Sequence, residues 1–112
     1  MQKLSGLFLF AVLISGAFSS SFAFAQIEPI ATNDFYSVNE DSLLTVSSMG
    51  VLLNDTNIDS DFFAIIQTNV SFGTLTLNLD GNFTYQPNQN FHSIDSFTYF
   101  VTNGTHSSNN AT

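Results

Sequence analysis

Alternating apolar and polar residues between positions 73 and 101 give the clearest structural signal in this chain. Three leucines alternate with polar residues over 73–79, and Phe83 and Tyr85 continue the alternation after Asp80-Gly81. Alternation at period two places one set of side chains on a buried face and the other in water. Asp-Gly favours a two-residue type I′ turn, in which both central residues have positive φ. The pattern therefore predicts a β-hairpin with a type I′ turn at Asp80-Gly81.

Shorter runs extend this pattern into an all-β chain. Further strands are predicted at 35–38, 43–46, 62–66 and 95–102, and no helical periodicity follows residue 25. Six short strands separated by turn signals are typical of an antiparallel sandwich. The sequence thus predicts an all-β, immunoglobulin-like β-sandwich of about six strands. The alternation predicts a core made of Val38, Leu44, Val46, Leu75, Leu77, Phe83, Tyr85, Phe97, Tyr99 and Val101.

The last strand of such a sandwich is predicted to be missing or incomplete. The segment Ser107–Thr112, which follows the turn signal Asn103-Gly104, is polar and shows no apolar alternation. The strand around Phe97–Val101 would then expose unpaired backbone groups, which form a template for strand addition. Two explanations stay open: residues 33–112 are a C-terminally truncated domain of a longer array, or another chain donates the strand.

The first 25 residues have the pattern of a secretory signal peptide. Lys3 supplies the positive start, residues 7–17 an apolar run, and Ala23-Phe24-Ala25 a small-x-small cleavage signature. An uncleaved, helical membrane anchor is the alternative, but serines interrupt the run and no basic stop-transfer segment follows. We therefore predict a signal peptide at 1–25, a short linker at 26–32 with Pro29 inside it, and secretion or display at the cell surface.

Charge narrows the classes of partner. Lys3 is the only basic residue, so the chain after the predicted cleavage point has nine carboxylates and neither Lys nor Arg. Nucleic acids and anionic membrane surfaces are excluded, because both require basic residues. The chain also has no Cys, so disulfides cannot hold this small secreted domain, and core packing, bound ions or neighbouring domains must do so.

Five ordered motifs carry a family resemblance over nearly all of residues 26–112. They are ATNDFY at 31–36, ED at 40–41, GVLLND at 50–55, the predicted hairpin at 73–87, and the segment 91–99. In this order they resemble the cadherin-like, bacterial immunoglobulin-like repeats that occur in tandem in large secreted and cell-surface proteins of the adhesin type. The resemblance implies a Greek-key sandwich that acts as a spacer or adhesive element, often with calcium at the junctions between domains.

Two acidic groups are candidate calcium sites. Asp55, Asn57, Asp59 and Asp61 place oxygen-bearing side chains at alternate positions, which suits a hard cation that takes six to eight oxygens. A hydrated, Asx-rich turn is the alternative for this loop. The resemblance to cadherins implies a second, junctional site at Asp34 and Glu40, for which a turn cap and a solvated hairpin tip are the alternatives.

No enzyme signature is present. The two histidines lie in polar loops without partners at the spacing of a zinc site or a catalytic triad, so we predict surface histidines. Asn-x-Ser/Thr sequons mark candidate glycosylation sites at Asn54, Asn69, Asn82, Asn103 and Asn110.

The sequence therefore predicts a non-catalytic extracellular adhesion module or calcium-stiffened spacer, with neighbouring repeats, other surface proteins or glycans as partners. A carbohydrate-binding accessory module of a secreted protein is the alternative, and an exposed row of aromatic side chains would favour it.

Overall fold

Two small antiparallel sheets form the domain in the computed structural model, which describes residues 27–112. The predicted signal peptide lies outside the described residues. The strands are β1 (Leu44–Val46), β2 (Phe63–Thr68), β3 (Gly73–Leu77), β4 (Phe83–Pro87) and β5 (Thr98–Thr102). One sheet has the order β1-β4-β3 and the other pairs β2 with β5. A single 3₁₀ turn, Gly50–Leu52, is the only helical element among these residues. The all-β, immunoglobulin-like sandwich is confirmed.

The core lies between the two sheets, as the alternation predicts. Phe83, Tyr99 and Val101 are almost completely buried, and six other predicted core residues pack around them in half-buried positions. Val38 is the exception, because 37% of it is exposed. The core also contains residues that alternation could not identify, since most are small or lie outside the strands: Ala31, Val51, Leu52, Ala64 and Ala111.

The predicted strand at 35–38 does not form. This segment is irregular and none of its backbone groups is hydrogen-bonded to a described residue. Its side chains do not alternate cleanly either, because Phe35 is 91% exposed and Tyr36, which packs edge-on against Phe83, remains 43% exposed. Segment 35–38 is therefore an unpaired stretch that contacts the first sheet through Tyr36 and Phe83.

The polar C-terminal segment 107–112 forms no strand of its own, as predicted, but isolated bridges pair it with β5, so the expectation of an unpaired edge on β5 is wrong. Tyr99 and Ala111 exchange two backbone hydrogen bonds of 2.9 Å, and the Ser108 N–H donates to Val101. Strand pairing uses backbone groups and needs no apolar alternation. Only Ala111 of this segment is buried, while the Ser108 hydroxyl accepts a hydrogen bond from the Val101 N–H.

The N-terminal residues pack into the same region. Ile30 pairs with Thr56 through two hydrogen bonds, and Ala31 is buried. The Asn109 side chain brackets Ala31, accepting from its N–H at 3.0 Å and donating to its C=O at 2.9 Å. Residues 30 and 31, which fall in the predicted linker, thus belong to the folded domain.

The hairpin between β3 and β4 is present, but its turn is not type I′. Gly81 has a φ of 90°, whereas Asp80 is not among the residues with positive φ. The Gly81 N–H donates to Asn78 and the Asn78 N–H donates to Asn82, which fits a three-residue turn ending in a left-handed glycine. The 3₁₀ turn explains the difference, because Val51 donates to the Gly81 C=O and a Cβ on Gly81 would lie 2.0 Å from the Met49 C=O.

Candidate functional site

Two carboxylates from the predicted calcium groups meet at one buried hydroxyl. The Tyr99 hydroxyl lies 3.0 Å from Asp34 Oδ2 and 3.1 and 3.2 Å from the two carboxylate oxygens of Asp55. The backbone C=O groups of Val51 and Thr32 lie 2.8 and 3.2 Å from the same oxygen. A phenol has one proton to donate, so most of these five oxygen atoms receive no hydrogen from it. We call this arrangement the Tyr99 cluster.

Three elements position the Tyr99 cluster. Tyr99 lies in β5, and its ring is completely buried. Asp55 follows the 3₁₀ turn in the chain, and its carboxylate accepts the Thr32 N–H at 2.8 Å. Asp34 is held where the N-terminal segment enters the sandwich, since its N–H donates to the Thr112 C=O at 2.8 Å. The cluster therefore lies at the N-terminal entrance of the domain.

Electrostatics in the Tyr99 cluster are unfavourable for two ionised carboxylates. Burial raises the pKa of Asp34 to about 6, and the Asp55 charge adds to this rise against hydrogen bonds from Tyr99 and Asn54. Burial also raises the pKa of Asp55, although the Thr32 and Tyr99 hydrogen bonds oppose it. The pKa of the Tyr99 hydroxyl is raised by burial and by both carboxylates. No Lys or Arg occurs in residues 27–112 to balance these charges.

The other residues predicted to bind metal do not join the Tyr99 cluster. The Asn57 amide donates to the Glu28 C=O, and Asp59 accepts the Asp61 N–H in a local turn. Asp61 and Glu40 are exposed. Within residues 27–112, no three or more His, Cys, Asp or Glu side chains are arranged to hold a metal ion. The structure thus combines one residue from each predicted group, Asp34 and Asp55.

A second carboxylate–tyrosine contact, between Asp95 and Tyr85, braces the loops at the end of the hairpin away from its turn. Asp95 accepts backbone hydrogen bonds from Ser71, Phe72 and Ser96, each of 2.9–3.0 Å, and a 2.7 Å bond from the Tyr85 hydroxyl. Burial alone would raise the pKa of Asp95, but these four donors lower it overall. Burial and the Asp95 carboxylate raise the pKa of Tyr85 to about 12. We call this the Asp95 brace.

The histidines show no catalytic arrangement in the described part of the chain. His92 Nδ1 lies 3.0 Å from the Asn90 C=O, and no hydrogen bond joins it to Asp95 or to a serine hydroxyl. His106 Nδ1 lies 3.3 Å from Glu28, a contact that becomes an ion pair only when the imidazole is protonated. The Asp95 carboxylate accepts four hydrogen bonds, so its oxygens are already occupied and are not placed to accept a proton from a serine or histidine.

The five sequons occupy different environments. The amide of Asn54 donates to the Asn33 C=O beside the Tyr99 cluster, and Asn82 has a buried side-chain oxygen without a partner. The Asn103 side chain accepts the N–H groups of Thr105 and His106. Asn54, Asn69 and Asn110 are exposed, and the Asn69 side-chain oxygen accepts the Val70 N–H at 2.8 Å.

An apolar cleft of about 700 Å³ opens on the side of the sandwich that carries segment 35–38. Its lining includes Phe35, Val38, Leu44, Phe83, Tyr85 and Phe97. Asp34 and Glu40 also line it.

Comparison with known families matches this architecture. A family model described as a bacterial cadherin-like domain matches residues 27–112. The chain belongs to the bacterial cadherin-like domain family. No match was found among curated proteins or among solved structures. A cadherin-like domain indicates a structural or adhesion module, and domains of this fold are generally non-catalytic.

No helix within residues 27–112 is long and apolar enough to cross a membrane.

Proposed function

We propose that this cadherin-like domain is an extracellular adhesion or spacer module that calcium stiffens at its N-terminal entrance. The observation that carries the proposal is the Tyr99 cluster, in which two carboxylates and two backbone C=O groups converge without a positive charge. The signal-peptide pattern of residues 1–25 supports export, and bacterial cadherin-like domains typically occur in extracellular proteins.

The donor set of the Tyr99 cluster fits calcium. Calcium takes six to eight oxygen ligands, and carboxylates and backbone C=O groups are among those it uses. A divalent cation would also offset the burial of two like charges that raises the pKa values of Asp34 and Asp55. Two carboxylates are fewer than a complete site needs, so water or a neighbouring domain would supply the remaining ligands.

Calcium would join three parts of the chain that meet at the cluster. Asp34 belongs to the entering segment, Asp55 follows the 3₁₀ turn, and Tyr99 lies in β5. A cation held by both carboxylates would restrict movement of the entering segment relative to the sandwich. This is how the domain would act as a stiff element between neighbouring repeats or surface partners.

Thermal melting in EDTA and in millimolar calcium tests the proposal. Binding to the native state alone stabilises it by about 2.7 kcal/mol at a hundredfold excess of calcium over Kd. We expect calcium to raise the melting temperature of the wild type but not that of the Asp34→Asn/Asp55→Asn double variant.

The Asp59→Asn/Asp61→Asn double variant is the matched control, since it removes the same charge from the neighbouring loop. It should keep the calcium shift. Loss of the shift in this control alone would place calcium in the loop instead, and no shift in the wild type would rule out calcium binding.

A further inference from the structure

The apolar cleft contains side chains that an isolated sandwich would normally cover. Leu44 of β1 and Phe83 and Tyr85 of β4 line it from the inner face of the first sheet. Phe35 and Ile94 also line the cleft, and they are 91% and 87% exposed. Exposed apolar side chains gathered around a concave surface mark an interaction site more often than scattered ones do.

Unpaired backbone accompanies this apolar surface. The N–H and C=O groups of residues 35–38 make no hydrogen bond to any described residue, and the segment runs along the margin of the cleft. The next strand in the chain, β1, pairs with β4, and its other edge has no strand neighbour among residues 27–112. Such groups are a template for an added strand, whose alternate side chains would all point to one face.

Charge identifies the kind of chain that fits. Glu40 lines the cleft, and residues 27–112 contain nine carboxylates and neither Lys nor Arg. A second copy of the domain would bring the same negative charge and no basic side chain to offset it. Like charges placed together at an interface are unfavourable, whereas a cationic partner is attracted. The occupant is therefore a different protein with basic residues.

We propose that the cleft binds an extended segment of another protein, with apolar residues at alternate positions and Lys or Arg at its ends. The segment pairs with the free backbone groups of residues 35–38 and places its apolar side chains in the cleft. Its basic end contacts Glu40. This inference rests on the proposed role as an adhesion module and assigns a surface and a class of partner to it.

Fluorescence anisotropy with labelled synthetic peptides and the full chain tests this assignment. The probe is KVTVTVK, with EVTVTVE as its acidic counterpart, KTTVVVK as a peptide without alternation, and a backbone N-methylated KVTVTVK that cannot pair. We expect KVTVTVK to bind about tenfold or more tightly than each of the other three peptides.

Matched variants locate the binding surface. Phe35→Ser and Glu40→Gln should each weaken KVTVTVK binding about tenfold. Leu53→Ser and Asp61→Asn should leave it within about twofold, because Leu53 is 72% exposed, Asp61 is exposed, and neither lines the cleft. All four positions are exposed, so the variants should fold, which their circular dichroism spectra would verify.

The proposal would be overturned if any of the three control peptides bound as tightly as KVTVTVK. It would also be overturned if the wild-type protein did not bind KVTVTVK. Weakening by Leu53→Ser equal to that by Phe35→Ser would also overturn it. A normal calcium shift in melting with no peptide binding would reject only this assignment, because the calcium proposal is measured independently.

Discussion

The Tyr99 cluster and the Asp95 brace use the same two chemical groups, a carboxylate and a phenol, with opposite electrostatic results. Asp95 receives three backbone N–H donors and the Tyr85 hydroxyl, and its pKa is lowered. In the Tyr99 cluster two carboxylates share one phenol proton, and the pKa values of both are raised by burial. The number of donors per carboxylate, rather than the presence of tyrosine, therefore decides whether a half-buried acid is satisfied.

The two sites also differ in what they can contribute to function. The Asp95 brace is complete within the domain, and it ties the turn before β3 to the segment before β5. The Tyr99 cluster has surplus acceptors, so it gains from a proton or a cation. A satisfied carboxylate stabilises a fold, whereas a pair of carboxylates without enough donors is the basis on which we propose that the stability of this domain depends on calcium and pH.

The largest expected effect is at the Asp95 brace. Asp95→Ala would leave three backbone N–H groups and the Tyr85 hydroxyl without their acceptor, so we expect a loss of about 3 kcal/mol in the free energy of unfolding. Urea denaturation monitored by fluorescence measures it. Asp80→Ala, which removes one turn hydrogen bond to Asn82, is the control and should cost about 1 kcal/mol or less. Equal losses of stability in Asp95→Ala and Asp80→Ala would show that the Asp95 brace contributes no more than a single turn hydrogen bond.

The next largest effect compares the two phenols in EDTA. Tyr99→Phe removes the hydroxyl shared by Asp34 and Asp55, and we expect it to cost about 1.5 kcal/mol. Tyr85→Phe should cost about 1 kcal/mol or less, because Asp95 retains its three N–H donors. Urea denaturation of both variants measures the difference, and a larger loss for Tyr85→Phe would reverse our ranking of the sites.

The pH dependence of stability gives a smaller, directional test. In EDTA, Asp34 has a pKa of about 6 in the folded domain and near 3.8 in the unfolded chain, so the folded state binds its proton more tightly. The stabilisation is complete below about pH 4 and is lost as pH rises through 6. Because the site is partly exposed, we expect about 1 kcal/mol after solvent screening.

Subtracting the profile of Asp34→Asn from that of the wild type isolates this contribution. Asp95 acts in the opposite direction, since its lowered pKa gives stability that is lost as pH falls. A difference profile that rises with pH between 4 and 7 would contradict the raised pKa of Asp34.

The smallest single effect is expected for Asp34→Asn, which we compare with the same substitution at Asp95. Asp34→Asn removes a charge whose burial is unfavourable and keeps a side-chain oxygen, so at pH 7 in EDTA stability should change by about 0.5 kcal/mol or less. Asp95→Asn removes a charge that four donors stabilise and should cost about 1–2 kcal/mol. Calorimetry of both variants compares them, and similar losses would remove the distinction between the sites.

Alternation predicted the parts of the fold that depend on local pattern. The strands β1, β3, β4 and β5 and nearly all of the predicted core follow from apolar residues at every second position, whereas β2 follows from the continuous apolar run at 62–66. The pattern failed at 35–38, where Phe35 faces solvent, and at the C-terminal segment, where backbone pairing with β5 proceeds without apolar side chains. The turn at Gly81 differs because the 3₁₀ turn, distant in sequence, packs on it.

The sequence predicts that Asp34 and Asp55 are candidate ligands, but it does not predict that they belong to one site. Asp34 and Asp55 were assigned to separate calcium groups because they are far apart in the chain and no local spacing relates them. Alternation predicts that the Tyr99 ring is buried. It says nothing about the partners of the hydroxyl, around which the cluster forms. The Asp95 brace also depends on tertiary contacts, since Ser71 and Phe72 are more than twenty residues from Asp95.

The contact between residues 31–34 and 109–112 has a mechanical consequence. Asn109 brackets Ala31, and Thr112 is hydrogen-bonded to Asn33 and Asp34, so the two segments run side by side in the same direction. Tension entering before residue 31 and leaving after Thr112 would pull these segments in opposite directions along their length. The hydrogen bonds between the two segments would then be loaded in shear and would break together. The calcium proposed beside Asp34 would strengthen this same contact between the segments.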